Sequence, residues 1–163
     1  MTSIMGFDQT LANCGWVTCL VEGNNLGLVG AGLIKGHWFD AGMLEPIREA
    51  VDLCNYVKAL MVYHAPSLVL VEMPPIKRPG MERESSLLGC VAVAMAADDC
   101  GIQVIGVNAQ KVKRQLTGFA NAKKPAVREA MQKKWPQHNK TLSNEHLRDA
   151  FALVDYWWNY ERT

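Results

Sequence analysis

The sequence predicts an α/β fold, a mixed five-stranded sheet with helices packed on both faces. Three observations carry that expectation. Strand-like segments at residues 3–8, 15–21 and 26–35 follow one another directly, the last two separated by the turn-forming Glu22-Gly23-Asn24-Asn25. Beyond them, segments of helical period alternate with short apolar strands at 68–72 and 102–107. Leu68-Val69-Leu70-Val71 is apolar at every position, as in a strand buried on both faces, and it ends in Glu72 just before Pro74-Pro75, which cannot continue a ladder.

The first three strands form a β-meander. Residues 43–63 then place Met43, Leu44, Ile47, Ala50, Val51, Leu53, Cys54, Val57, Leu60 and Met61 at helical spacing, with Arg48, Glu49, Asp52, Asn55 and Lys58 between them. After the strand at 68–72 and a proline-rich loop, a second helix runs over about residues 83–100. Its small apolar run Ala92-Val93-Ala94-Met95-Ala96-Ala97 suits a core position. Gly101 stops it, 102–107 forms the fifth strand, and Asn108 caps a helix over 109–116. Residues 117–122 are a small-residue loop, and 123–134 is a helix that tolerates Pro125 in its first turn. Trp135-Pro136 ends that helix. A last helix starts near Ser143, with an acidic residue close behind, and runs through Trp157. The segments 74–82 and 135–143 read as mobile loops.

A chain of 163 residues with 49% hydrophobic and 20% charged residues suits one soluble domain over 1–163. No apolar run approaches the roughly 20 residues of a membrane span, and no signal-peptide pattern opens the chain, so a cytoplasmic protein is expected. Five cysteines without a C-x-x-C pair indicate neither a disulfide framework nor a zinc site. The net charge of +1 conceals an asymmetry. Residues 111–134 hold Lys111, Lys113, Arg114, Lys123, Lys124, Arg128, Lys133 and Lys134 against Glu129 alone, a net of +7 that leaves −6 elsewhere. Such a segment favours a polyanionic partner over a merely solvated helix face.

Asp8 ends the first strand as Glu72 ends the fourth. If those strands are neighbours, the two carboxylates share one sheet edge. His146 and Asp149 lie three apart on the last helix and project from one face. Three carboxylates and an imidazole are suitable ligands for Mg²⁺, with the imidazole tilting the set slightly toward Mn²⁺. Two such ions about 3.5–4 Å apart activate a water and stabilise the leaving oxygen of a phosphodiester. Each residue also has a plainer reading: Asp8 as a turn former, Glu72 as a strand's exit into water, Asp149 as a surface acid, His146 as a core histidine. His37 and His64 lack such company, and Asp98, Asp99, Asp155 and Glu22 read as structural acids.

Residues 4–16, Ile4-Met5-Gly6-Phe7-Asp8-Gln9-Thr10-Leu11-Ala12-Asn13-Cys14-Gly15-Trp16, resemble the opening strand motif of the RuvC-like Holliday junction resolvases, a branch of the ribonuclease H-like nucleases. Val69-Leu70-Val71-Glu72 is similar to their second acidic strand. His146-Leu147-Arg148-Asp149-Ala150-Phe151-Ala152-Leu153 is similar to their closing acidic helix, and Val112-Lys113 through Lys124-Pro125-Ala126-Val127 follows their basic stretch with the same internal spacing. The resemblance covers nearly the whole chain in order. It implies a ribonuclease H-like fold and a homodimeric, Mg²⁺-dependent endonuclease that nicks paired strands of four-way DNA junctions, and the compact single-domain chain is compatible with either a bacterial or a phage-encoded enzyme.

By the same resemblance Asp8, Glu72 and Asp149 are acidic ligands, and Lys113 and Lys124 lie near the scissile phosphate. His146 stands where aspartate is more frequent, as a ligand or an acid–base group. Gln9-Thr10 departs from the usual proline and small residue. Lys77, Arg78, Lys111, Lys113, Arg114, Lys123, Lys124 and Arg128 are the expected DNA-binding residues, with Met73, Ile76 or Met81 available as a wedge at the junction centre. The competing readings are an inactive nucleic-acid-binding protein of the same fold, a hydrolase of RNA–DNA hybrids or branched replication DNA, and a nucleotide-binding domain of the actin-like kind. The last lacks a glycine-rich phosphate loop.

Overall fold

The computed structural model describes residues 2–36, 45–73 and 81–162, with 81–83 by their backbone alone. Five strands, β1 (Thr2–Asp8), β2 (Asn13–Glu22), β3 (Asn25–Lys35), β4 (Leu68–Glu72) and β5 (Gln103–Val107), form one sheet in the order β3-β2-β1-β4-β5. The β1–β2 and β2–β3 pairs are antiparallel, and β1–β4 and β4–β5 are parallel. The expected meander and the expected neighbourhood of the first and fourth strands are both present. The helices are α1 (Glu45–His64), α2 (Met81–Asp99), α3 (Ala109–Thr117), α4 (Lys124–Lys134) and α5 (Glu145–Tyr160).

Side chains alternate along each strand, so one sheet separates two cores. Ile4, Leu68 and Leu70 point into a cluster with Val112, Met131, Phe151 and Val154, under α3, α4 and α5. Met5, Phe7, Val69 and Val71 point the other way, into a cluster with Leu53, Val57, Met61, Val93 and Ala96 of α1 and α2.

Four local expectations need correction. In α1 the buried stripe is Glu49, Leu53, Val57 and Met61, spaced four apart, whereas Ile47 and Val51 are 55% exposed. That stripe is the seam along which the helix packs on the core, flanked by the partly buried Ala50, Cys54 and Leu60, and the apolar periodicity reached beyond it at Ile47 and Val51. Only half of the apolar surface of α2 is core: Ala92, Val93, Ala96 and Ala97 are buried while Leu87, Val91 and Met95 are exposed. The last helix is capped by Asn144, not Ser143. The Asn144 side-chain Oδ1 accepts from the amides of His146 and Leu147, while Ser143 belongs to a short 3-10 turn, Thr141–Ser143. The segment read as a loop at 135–143 contains two such turns, around a fully buried Leu142.

Asn108 caps α3 through its side chain, Pro125 sits in the first turn of α4, and Gly101 closes α2 with φ +68°. Cys14 and Cys19 are buried, and all five cysteines are unpaired. Asp155, read as structural, is 1% exposed and accepts from Lys134 (2.8 Å), Trp135 (3.1 Å) and Asn159 (3.0 Å), which ties the end of α4 to α5.

Candidate active site

Strand parity decides which way the two strand-end carboxylates face. Asp8 follows Ile4 and Gly6 at even spacing, and Glu72 follows Leu68 and Leu70, so both point to the α5 side of the sheet. The parallel register pairs Phe7 with Val71, which sets Asp8 and Glu72 one step further along adjacent strands. Gln9 continues the pairing beyond the ladder. Its side chain is 1% exposed, donates from Nε2 to the Glu72 carbonyl (2.6 Å) and accepts the Glu72 amide at Oε1 (3.3 Å). Nothing in periodicity marks Gln9 as a clamp on Glu72. The only signal was its departure from the proline that the resemblance places after the aspartate. Thr10 closes the turn by bonding both the carbonyl and the amide of Asn13.

The helix α5 reaches this edge because two glycines let it. A Cβ on Gly6 would stand 2.5 Å from the Ala150 carbonyl oxygen, and one on Gly15 would stand 2.6 Å from the His146 carbonyl. Helix backbone therefore lies directly on β1 and β2, a distance no other residue permits. The consequence is a hydrogen bond of 2.7 Å between His146 Nδ1 and Asp8 Oδ2. Asp149, one turn further along α5, brings its carboxylate within electrostatic reach of Asp8.

The acids pay for this convergence in proton affinity. Burial, with the charges of Asp8 and Asp149, pushes Glu72 up from 4.5 to about 7, against the opposing pull of Lys113. Burial, with the charge of Asp8, pushes Asp149 up from 3.8 to about 6, against Arg148 and Lys124. His146 is raised by its hydrogen bond to Asp8. Among the described residues the Glu72 carboxylate accepts no hydrogen bond, and Asp149 has only Arg148, at 3.8 Å.

Hard oxygens bearing uncompensated charge, with one imidazole nitrogen beside them, fit Mg²⁺ or Mn²⁺ in donor chemistry. They do not make a ready-made cage. Among the described residues no three acidic, histidine or cysteine side chains are gathered closely enough to hold an ion unaided.

The two lysines expected beside the site differ. Lys113 of α3 is half-buried and acts on Glu72. Lys124, at the start of α4, is exposed and bound to Glu145, with a weaker influence from Asp149 and Asp8. Lys111, Arg114, Lys123 and Arg128 are exposed on the same α3–α4 side. Lys111 also pairs with Glu161 at 3.6 Å. Among these cations Phe119 stands 74% exposed, an aromatic that the small-residue reading of 117–122 passed over. Lys77, Arg78, Ile76 and His37 lie outside the described residues, as does the side chain of Met81. Met73, the remaining wedge candidate, is 52% exposed. His64, given no chemistry, packs against Trp16 and Tyr63.

No protein-family model matches the chain, and no curated protein matches it in sequence. Solved structures do match in shape. Thermus thermophilus RuvC superposes with a TM-score of 0.74 at 19% identity, over 97% of this chain and 96% of that one. The fowlpox virus resolvase bound to a substrate Holliday junction gives 0.66 at 13% identity, over 99% and 100%. The yeast mitochondrial Holliday junction resolvase Ydc2 gives 0.66 at 13% identity, over 96% and 78%. With its mixed sheet, its two helical layers and this near-complete superposition, the chain has the ribonuclease H-like fold of RuvC and the other Holliday junction resolvases.

Proposed function

We propose that this protein is a structure-selective DNA endonuclease that resolves four-way junctions by metal-dependent hydrolysis of phosphodiesters. The observation that carries the reading is the meeting of Asp8, Glu72, His146 and Asp149 on one face of the sheet, from three elements and 141 residues of sequence apart, with two of the acids at abnormally high proton affinity. Buried acids whose proton affinity stays raised despite Lys113, Lys124 and Arg148 nearby mark a candidate binding site. Solved neighbours that include resolvases in complex with Holliday junctions support the choice of substrate.

Asp8, Glu72 and Asp149 would hold the divalent cations, two in number and Mg²⁺ in kind with Mn²⁺ able to replace it, and His146 would complete the set or serve beside it. When bound, such ions lower the pKa of water and offset charge on the phosphate. The protein's own part is to orient and to move protons. In the neutral tautomer whose Nδ1–H donates its hydrogen bond to Asp8 Oδ2, Nε2 is the ring's basic nitrogen and would take a proton from an attacking water. Lys113 and Lys124 hold the phosphate and stabilise its developing charge, while Lys111, Arg114, Lys123 and Arg128, with Lys77 and Arg78, track the flanking backbone. Phe119 offers a face on which a base can stack. Hydrolysis leaves a 5′-phosphate and a 3′-hydroxyl. Symmetric cutting calls for a homodimer, and Leu87, Val91 and Met95 of α2, spaced four apart and exposed, are an apolar surface for it.

The test is incubation of synthetic four-way junctions with Mg²⁺, beside Asp8→Asn and Glu72→Gln. The parent should nick paired strands. Either variant should bind junctions within a few-fold of the parent and cut at least about a hundredfold more slowly, since one ligand charge is lost while the basic surface is untouched. Parental cutting rates in both variants would refute the ligand assignment, and preferential cutting of an RNA–DNA hybrid in competition would redirect the substrate.

A further inference from the structure

Beside the acidic cluster, between the starts of α4 and α5, lies a cavity of about 320 Å³ lined by Lys124, Arg128 and Arg148, with Glu129 and Glu145 among its walls. Arg148 is the unusual member. It is 3% exposed, yet its buried Nε makes no hydrogen bond, with the Asp149 carboxylate 3.8 Å away and too far to accept one. A buried guanidinium with unused donors is costly unless something with acceptor oxygens completes it. The surroundings point to an anion. Three cations face two carboxylates, and the N-terminal ends of two helices, eleven and sixteen residues long, contribute their positive dipole ends.

We infer that this cavity is a phosphate subsite, and that Arg148 there binds the phosphodiester adjacent to the one that is cut. The inference deepens the nuclease reading and takes its DNA strand from it. The net charge of the cavity, +1, matches a singly charged phosphodiester. Lys124 joins the two places, since it lines the cavity and also acts electrostatically on Asp149. A strand with one phosphate at the acids and its neighbour on Arg148 is fixed at two points, which sets the scissile bond in line. Arg148 is thus a positioning residue, and Glu145 holds Lys124 at the rim until phosphate oxygens compete for it.

The experiment follows the Arg148 Nε–H signal by ¹⁵N NMR in metal-free, EDTA-containing buffer while the dinucleotide pTpT is added, so that no cleavage is required. A saturable shift of that signal, weakened at least fivefold in Arg128→Gln, is the expected result. An unmoved signal, or a shift that never saturates, overturns the subsite. With junction DNA and Mg²⁺, Arg148→Lys should raise KM at least fivefold and lower kcat at least tenfold, and parental values of both would also overturn it. If pTpT binds as expected but junctions are never cut, the subsite stands and the nuclease reading falls. If junctions are cut and the signal stays still, the reverse holds.

Discussion

Glu72 shows how one residue can be marked for function by what folding does to it. Moving its carboxyl from an ordinary 4.5 to about 7 means that the folded state prefers the protonated form. A group raised in this way contributes stability that is fully present below pH 4.5 and is lost as pH rises through 7. The loss is about 3 kcal/mol at most, and Asp149, raised to about 6, adds a smaller loss over a lower window. In EDTA, then, thermal unfolding of the parent should fall relative to Glu72→Gln as pH rises from 4.5 to 8. Parallel melting curves across that range would show that Glu72 is not buried among charges. At this scale the sequence put Asp8 and Glu72 at strand ends and His146 and Asp149 on one face of the last helix, and the structure has them there. The sequence was silent on Gln9 and on Arg148, whose roles depend on what lies across the gap from them: Gln9 on the backbone of β4, Arg148 on a cavity walled by α4.

Among the elements, α5 matters most, because its placement on the sheet brings His146 and Asp149 to the edge where Asp8 and Glu72 end their strands. That placement rests on close backbone approach at Gly6 and Gly15. Gly15→Ala pushes a methyl against the His146 carbonyl and should cost about 1–3 kcal/mol. By displacing the start of α5 it should also lower cleavage at least tenfold, with junction binding little changed. Cleavage at the parental rate would mean that His146 needs no such closeness. Strands and most helix bounds could be read from periodicity and punctuation, since Asn108, Gly101 and Pro125 act locally. The buried stripe of α1 could not, because Ile47 and Val51 are apolar yet outside the seam, while Glu49 lies inside it. Which part of an apolar helix is core is fixed by its partner's shape and not by its own sequence.

Taken whole, the molecule divides its labour across the sheet. On one side lie Asp8 and Glu72 at the ends of β1 and β4, His146 and Asp149 on α5, and the cations of α3 and α4. On the other, α1 and α2 complete a second core and leave Leu87, Val91 and Met95 facing outward. If that apolar face joins two copies, sedimentation equilibrium should give twice the 18.1 kDa chain mass, and Val91→Glu with Met95→Glu should give single chains. A parent that sediments as a single chain at micromolar concentrations would remove the dimer. The separation of faces explains why a net charge of +1 says little, whereas the +7 of residues 111–134 says much: the opposite charges sit elsewhere on the surface, at Asp52, Asp98 and Asp99 for example. The central claim is that the acids on the α5 side form a binding site for divalent cations. It is tested most directly by titrating Mn²⁺ into the protein at pH 8 and pH 6, with free Mn²⁺ followed by electron paramagnetic resonance. Binding should be at least about tenfold tighter at pH 8, when Glu72 and Asp149 are both ionised, and should be lost in Asp149→Asn. Mn²⁺ left free at both pH values, or bound equally well by Asp149→Asn, would contradict it.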